Sequence, residues 1–141
     1  MSSESLYLAA PLFNPSERDL NLEIREILRP HFEVYVPQVD GALLPDLLKT
    51  GLSTNDAYKK IFEADVDAIK RCDVFLIVLN GRTVDEGAAF ELGLAWNLGK
   101  PCYGFKNDFR QLVAGGDNPM IECALTKTFV SLDGLREWSR S

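Results

Sequence analysis

Asp85 and Glu91 are the side chains of this chain most open to chemistry, and a third carboxylate, Asp65, joins them from an earlier segment. Asp85 and Glu91 lie in the stretch CDVFLIVLNGRTVDEGAAFELGLAWNLGKP, Cys72 to Pro101. Its apolar run, Val74 to Leu79, is rich in β-branched residues and reads as a buried strand. Asn80, Gly81 and Arg82 break that run. Asp85 to Leu98 has helical composition and stops at Gly99-Lys100-Pro101, a helix-end signal. The stretch is therefore half of a βαβ unit. In open α/β sheets ligands bind where strands end and helices begin. Asp85 stands at the helix entrance and Glu91 in its second turn.

The surroundings of Glu91 and Asp65 each leave two readings open. On a helix, Glu91 has Gly87, Ala88, Leu94 and Ala95 as neighbours at three and four residues. Three are small and none is basic. Glu91 is either a solvated helix residue beside close helix–sheet packing, or a carboxylate facing a ligand that needs room. Asp65 falls in an apolar helical stripe, four after Ile61 and three before Ala68. Burying an unpaired charge is costly. Either desolvation raises the pKa of Asp65 and favours its protonated form, or backbone N–H groups satisfy it. Two carboxylates in different environments can divide labour, one attacking carbon and the other delivering a proton. That is the logic of retaining glycoside chemistry.

The elements that must position these residues can be read in order. Leu6 to Ala10 is a first strand carrying Tyr7. A helix follows with Asn14 or Ser16 as cap, Pro15 near its first turn, and Leu20, Ile24, Ile27 and Leu28 at helical spacing. Phe32 to Val36 is a second strand ended by Pro37. Gln38 to Thr54 reads as loop with one short helix near Pro45 to Lys49. Ser53, Thr54 or Asn55 caps a helix to about Arg71, its stripe Ile61, Ala64, Ala68 and Cys72 flanked by Phe62 and Ile69, with Glu63, Asp67 and Lys70 on the wet face. After the central stretch come a fourth strand, Cys102 to Phe105, and a polar flap, Lys106 to Gly116. A short helix with Pro119 first follows, then a fifth strand, Thr126 to Leu132, and a tail helix, Asp133 to Ser141. Strands alternating with helices imply a parallel sheet covered on both faces. Five strands suggest a three-layer, doubly wound, flavodoxin-like α/β domain of order 2-1-3-4-5, with residues 1–141 as a single domain. Tyr7, Asp65, Asp85 and Glu91 could then converge near the carboxyl edge of the sheet.

Composition and missing motifs narrow the field. The net charge is −6 with no Lys or Arg run, which argues against nucleic-acid binding. No apolar stretch reaches membrane-helix length, and MSSESLYLAAPLF has no positive flank, so neither a span nor a signal peptide is expected. Three separated cysteines (Cys72, Cys102 and Cys123) read as reduced, mostly buried thiols of a cytoplasmic protein. The single histidine, His31, makes a His-based metal site or a Ser–His–Asp triad improbable. Neither GxGxxG nor GxxxxGK[ST] is present, nor CxxC or HExxH. No metal and no cofactor are expected. A phosphoacceptor domain on this fold is disfavoured, because the first strand ends in LYLAAPLF without an acidic pair.

Four pieces of the chain together resemble the nucleoside 2'-deoxyribosyltransferase family: LYLAAPLF, EADVDAIKRCDVFLIVLNG, DEGAAFELGLA and DNPM. DEGAAFELGLA is the most specific, with an Asp six residues before a Glu. The resemblance implies Glu91 as nucleophile on C1' of a 2'-deoxynucleoside, giving a covalent deoxyribosyl-enzyme that a second base resolves with retention. It implies Asp65 as proton donor or hydrogen-bond partner of the departing base, and Tyr7 as the group that holds Glu91. Asp85 and Asn118 would bind the sugar 5'-hydroxyl. Phe13 and Gln38 would contact the base, and Gly87 would leave room for substrate. Asn118 and Met120 would reach a neighbouring subunit's site, which implies a homo-oligomer. Slow hydrolysis is expected where water replaces the second base. Two alternatives stand beside this: a 2'-deoxynucleoside 5'-monophosphate N-glycosidase and a non-catalytic nucleoside-binding module. Asp85 disfavours the first, since a fixed carboxylate repels a phosphate dianion at close range.

Overall fold

Alternation along the strands builds the fold. In the computed structural model, residues 3–108 and 117–141 are described; the flap expected from Lys106 to Gly116 falls mostly outside them. Strands β1 (Glu4–Ala9), β2 (Phe32–Tyr35), β3 (Val74–Val78), β4 (Cys102–Phe105) and β5 (Lys127–Phe129) form one parallel sheet in the order β2-β1-β3-β4-β5. Leu6 and Leu8 of β1, with Val74, Leu76 and Val78 of β3, face helices α1 (Pro15–Leu28) and α7 (Leu132–Arg140) through Ile24, Leu28 and Leu135. Tyr7 and Ala9, with Phe75 and Ile77, face α4 (Thr54–Arg71) and α5 (Glu86–Asn97) through Ala68, Ile69, Ala88, Leu92 and Ala95. A strand buried on both faces has no polar side, which is why β3 is apolar throughout. Each fully buried Leu or Ile contributes roughly 1.5–3 kcal/mol. The three-layer, doubly wound arrangement expected from the sequence is the one observed.

Helix starts follow their capping residues. Asn14 accepts from the Glu17 N–H at 2.9 Å and Glu17 returns a bond to the Asn14 N–H at 3.2 Å, a reciprocal box with Pro15 in the first turn. Ser53 caps α4 by accepting from the Asp56 N–H at 3.2 Å.

Two expectations are corrected. The segment from Gln38 to Thr54 holds two short helices, α2 (Pro37–Asp40) and α3 (Leu44–Lys49), each with Pro in its first turn. Asp40 closes the first by accepting from the Val36 N–H at 2.8 Å. β5 is shorter than Thr126 to Leu132, because Ser131 leaves the strand to cap α7 on the Gly134 N–H at 3.0 Å. Of the three thiols, Cys72 and Cys102 are buried and Cys123 is exposed.

The loops at the carboxyl edge are tied together. Asn80, just past β3, exchanges bonds of 2.7 and 3.1 Å with Asn107, just past β4. Gly81 turns the chain at φ +114°, a conformation that L side chains resist. Lys106 is buried and pairs with Asp117 at 2.9 Å, linking the end of β4 to the entrance of the short helix α6 (Pro119–Glu122). Asp73 acts at the opposite edge. Its carboxylate accepts from the N–H and hydroxyl of Ser5, bonds that hold it below the usual carboxylate range. No helix among the described residues is long and apolar enough to cross a membrane.

Candidate active site

Sheet register builds the floor of the site. Tyr7 lies opposite Tyr35 of β2 and opposite Phe75 of β3. The three rings stack across three strands, with centroids 5.3 and 5.7 Å apart and planes within 15° and 5°. Cross-strand aromatic pairs of this kind contribute about 0.5–1.5 kcal/mol beyond burial. The stack leaves each hydroxyl little freedom, and each meets an acid. Tyr7 donates to Glu91 Oε2 from α5. Tyr35 donates to Asp65 Oδ1 from α4 at 3.3 Å.

Above this floor opens a cleft of about 570 Å³, between α4, α5 and the chain after β1. Asp65, Asp85 and Glu91 all line it, as do Phe13 and Gly87. Tyr58, Ile61, Phe62 and Phe90 supply apolar walls. Asp85 caps α5, accepting from the Ala88 N–H at 2.9 Å through Oδ2. No Lys or Arg lines the cleft among the described residues. No group of His, Cys, Asp and Glu among them is arranged to hold a metal ion.

Burial sets the electrostatics. It pushes Glu91 up to about 7, against the pull of the Tyr7 hydroxyl, and the charges of Asp65 and Asp85 add to the rise. Burial also raises Asp65, while the Tyr35 hydroxyl lowers it. Tyr7 is pushed far up, first by burial and then by the carboxylates, so it remains a donor. Tyr35 is pushed up to about 12 by burial and then by Asp65. A carboxylate that ionises near neutrality and is poorly hydrated suits nucleophilic attack. A second acid whose hold on its proton burial strengthens suits proton delivery. Of the two readings of Asp65, desolvation describes this site, and its hydrogen bond comes from a tyrosine rather than from the backbone.

The structure brings together Tyr7, Asp65, Asp85, Glu91, Gly87 and Phe13. It does not bring Gln38 there. The Gln38 amide accepts from Asn21 Nδ2 at 2.9 Å and donates to the Arg18 carbonyl at 3.2 Å, bonds that tie α2 to α1. Asn118 and Met120 do not line the cleft of their own chain either. Asn118 caps α6 on the Met120 N–H at 2.8 Å, and Met120 is 80% exposed. Around Glu91, Ala88 and Ala95 are buried, whereas Gly87 opens to the cleft. Burial of Glu91 excludes the solvated reading, while its small neighbours divide between close packing and the cleft wall. The sequence reading missed Tyr35, Tyr58 and Phe90. Tyr58, Ile61, Phe62, Asp65 and Ile69 repeat at helical spacing, a signal that could have placed the acid on an aromatic face.

The fold and its acids define a doubly wound α/β protein with a carboxylate cluster at the carboxyl edge of its sheet. Residues 6–134 match the family described as nucleoside 2-deoxyribosyltransferase, and the chain belongs to that family of enzymes, which act on nucleosides and nucleobases. No curated protein sequence matches it. Among solved structures it is similar to a conserved protein from Enterococcus faecalis V583, at TM-score 0.79 and 23% identity over 99% of this chain and 98% of that one. It is similar to a 2-deoxyribosyltransferase from the psychrotolerant Bacillus psychrosaccharolyticus, at TM-score 0.77 and 24% identity over 94% and 90%. A CMP N-glycosidase from Clostridium botulinum aligns at TM-score 0.58 and 17% identity over 98% and 100%.

Proposed function

We propose that this protein moves the 2-deoxyribosyl group of a 2'-deoxynucleoside from one nucleobase to another. The observation that carries the reading is the Tyr7 hydroxyl bonded to Glu91, in the cleft that Asp65 and Asp85 also line. A Glu91 carboxylate oxygen bonds to C1' as the C1'–N bond breaks. The electron pair of that bond goes to the base nitrogen, which takes a proton from Asp65. A second base then attacks C1' and frees the Glu91 carboxylate, and its surplus proton returns to Asp65. Two displacements give net retention. Water in place of the second base gives hydrolysis. Tyr58, Phe62 and Phe13 offer ring surface to the base, and Asp85 accepts from the sugar 5'-hydroxyl.

The lining favours free nucleosides over monophosphates. It carries three carboxylates and, among the described residues, no cation to receive a phosphate. Offered deoxyinosine and deoxyinosine monophosphate separately, the protein is expected to release hypoxanthine from the nucleoside at least about 10-fold faster. Faster release from the monophosphate would favour the N-glycosidase reading. No release from either, with binding retained, would favour a non-catalytic nucleoside-binding module.

The working form is a homo-oligomer. Large aromatic side chains are normally buried, yet α5 leaves Phe90 57% and Trp96 61% exposed, and Phe62 of α4 packs beside Phe90. Gly93, midway along α5 between Phe90 and Trp96, leaves open space, where an added Cβ would meet nothing within 4 Å. Two knobs flanking a notch fit a second copy across a twofold axis. That face borders the cleft, and such a copy would bring its exposed Asn118 and Met120 to a neighbour's site. Sedimentation velocity is expected to show a dimer or larger species, shifting to monomer on Trp96→Glu. A monomeric wild-type chain at micromolar concentration would rule the assembly out.

A further inference from the structure

Tyr35 sits in an odd place for a tyrosine. It ends the edge strand β2 and is only half-buried, yet its ring is stacked on Tyr7 and its hydroxyl meets Asp65 Oδ1 at 3.3 Å. Asp65 has no other hydrogen-bond partner among the described residues, so Oδ2 is left open on a residue that lines the cleft. The backbone beside the pair has made room for it. A Cβ added at Gly41 would come within 3.1 Å of Asp65 Oδ1 and 3.2 Å of the Tyr35 hydroxyl, and within 2.7 Å of the Pro37 carbonyl. A side chain there would therefore crowd this one hydrogen bond. Tyr7 serves Glu91 in the same manner from the neighbouring strand, one ring away.

We propose that Tyr35 is the positioning residue for Asp65: its hydroxyl, fixed by the ring stack, holds Oδ1 and presents Oδ2 to the departing base. The inference rests on the transferase reading for its kinetic consequence, though not for the physical link between the two residues. A donor to Oδ1 fixes the carboxyl plane and so the direction of the second oxygen. It also favours the ionised form, opposing the effect of burial. The paired tyrosines thus divide the site, Tyr7 governing the nucleophile and Tyr35 the acid.

Tyr35→Phe keeps the ring stack and removes only the hydroxyl. Carbon-13 NMR titration of the Asp65 carboxyl is expected to show a higher pKa in Tyr35→Phe than in the wild type, a readout that needs no turnover. In base exchange, Tyr35→Phe is expected to lower kcat roughly 10-fold with little change in KM. The loss should vanish when Asp65 is already Asn, because the amide has no proton whose delivery Tyr35 could direct. An unchanged Asp65 titration, or an equal loss of kcat in the Asp65→Asn background, would overturn the assignment. A wild-type chain that neither exchanges nor hydrolyses nucleosides would defeat the transferase reading instead, and the titration would still decide whether Tyr35 controls Asp65.

Discussion

Glu91→Gln is expected to abolish base exchange, with kcat falling by roughly 10³–10⁶-fold, while the folded chain becomes more stable above neutral pH. The amide has the size of the carboxyl group and can still accept from Tyr7, so the cleft keeps its shape. It cannot form the bond to C1'. The gain in stability follows from the raised pKa. Folding lifts Glu91 from 4.5 to about 7, so the folded chain holds this proton more tightly than the unfolded chain does. The associated stability is fully present below about 4.5 and is lost as pH rises through about 7. By pH 8 the wild type has forfeited up to about 3 kcal/mol at this site. Glutamine does not ionise and escapes that loss, so its Tm at pH 8 should exceed the wild type's by several degrees, and the difference should shrink toward pH 5. The same ionisation governs catalysis. At limiting nucleoside the wild-type rate should rise with pH through about 7, as Glu91 loses its proton. Thermal melts at the two pH values and a pH–rate profile check both halves. An active Glu91→Gln enzyme, or one no more stable at pH 8, would contradict them.

Asp65→Asn is expected to lower kcat by roughly 10²–10⁴-fold, the usual range for removing a general acid. Asparagine can still accept the Tyr35 hydroxyl and fill the same space on α4, so the loss reports the proton rather than packing. It should be largest for nucleosides whose base leaves poorly without protonation, and smallest for an activated base that leaves as an anion. Steady-state exchange across such a series measures this. A uniform loss across all leaving bases would assign Asp65 to base binding instead of proton transfer.

The sheet was legible in the sequence because its central strand β3 is apolar on both faces and the long helices α1, α4 and α5 open on side-chain caps. Val74 to Leu79 admits few other readings, and Asp85 stands where a helix cap and a cleft-lining acid coincide. Glu91 was legible through its small neighbours, and Asp65 through its misfit in an apolar stripe. What escaped depends on distant pairing. Tyr35 gains its meaning only when β2 falls beside β1 in a register that sets it against Tyr7, and no local pattern in FEVYV announces that. The place of Gln38 outside the cleft was hidden for a similar reason. Its polarity fits a base contact as well as it fits Asn21 and the Arg18 carbonyl, and only the packing of α1 against the following turn decides. The two short helices α2 and α3 were obscured because prolines that open a helix also mark loops.

The most direct test is to mix the protein with deoxyinosine and no acceptor base, quench in acid within the first turnover, and weigh the intact chain. A mass gain of one deoxyribosyl unit, mapped by peptide sequencing to Glu91 and missing from Glu91→Gln, is the expected result. Hypoxanthine released in the first turnover with no added mass on the chain, or a deoxyribosyl unit carried on another residue, would contradict it.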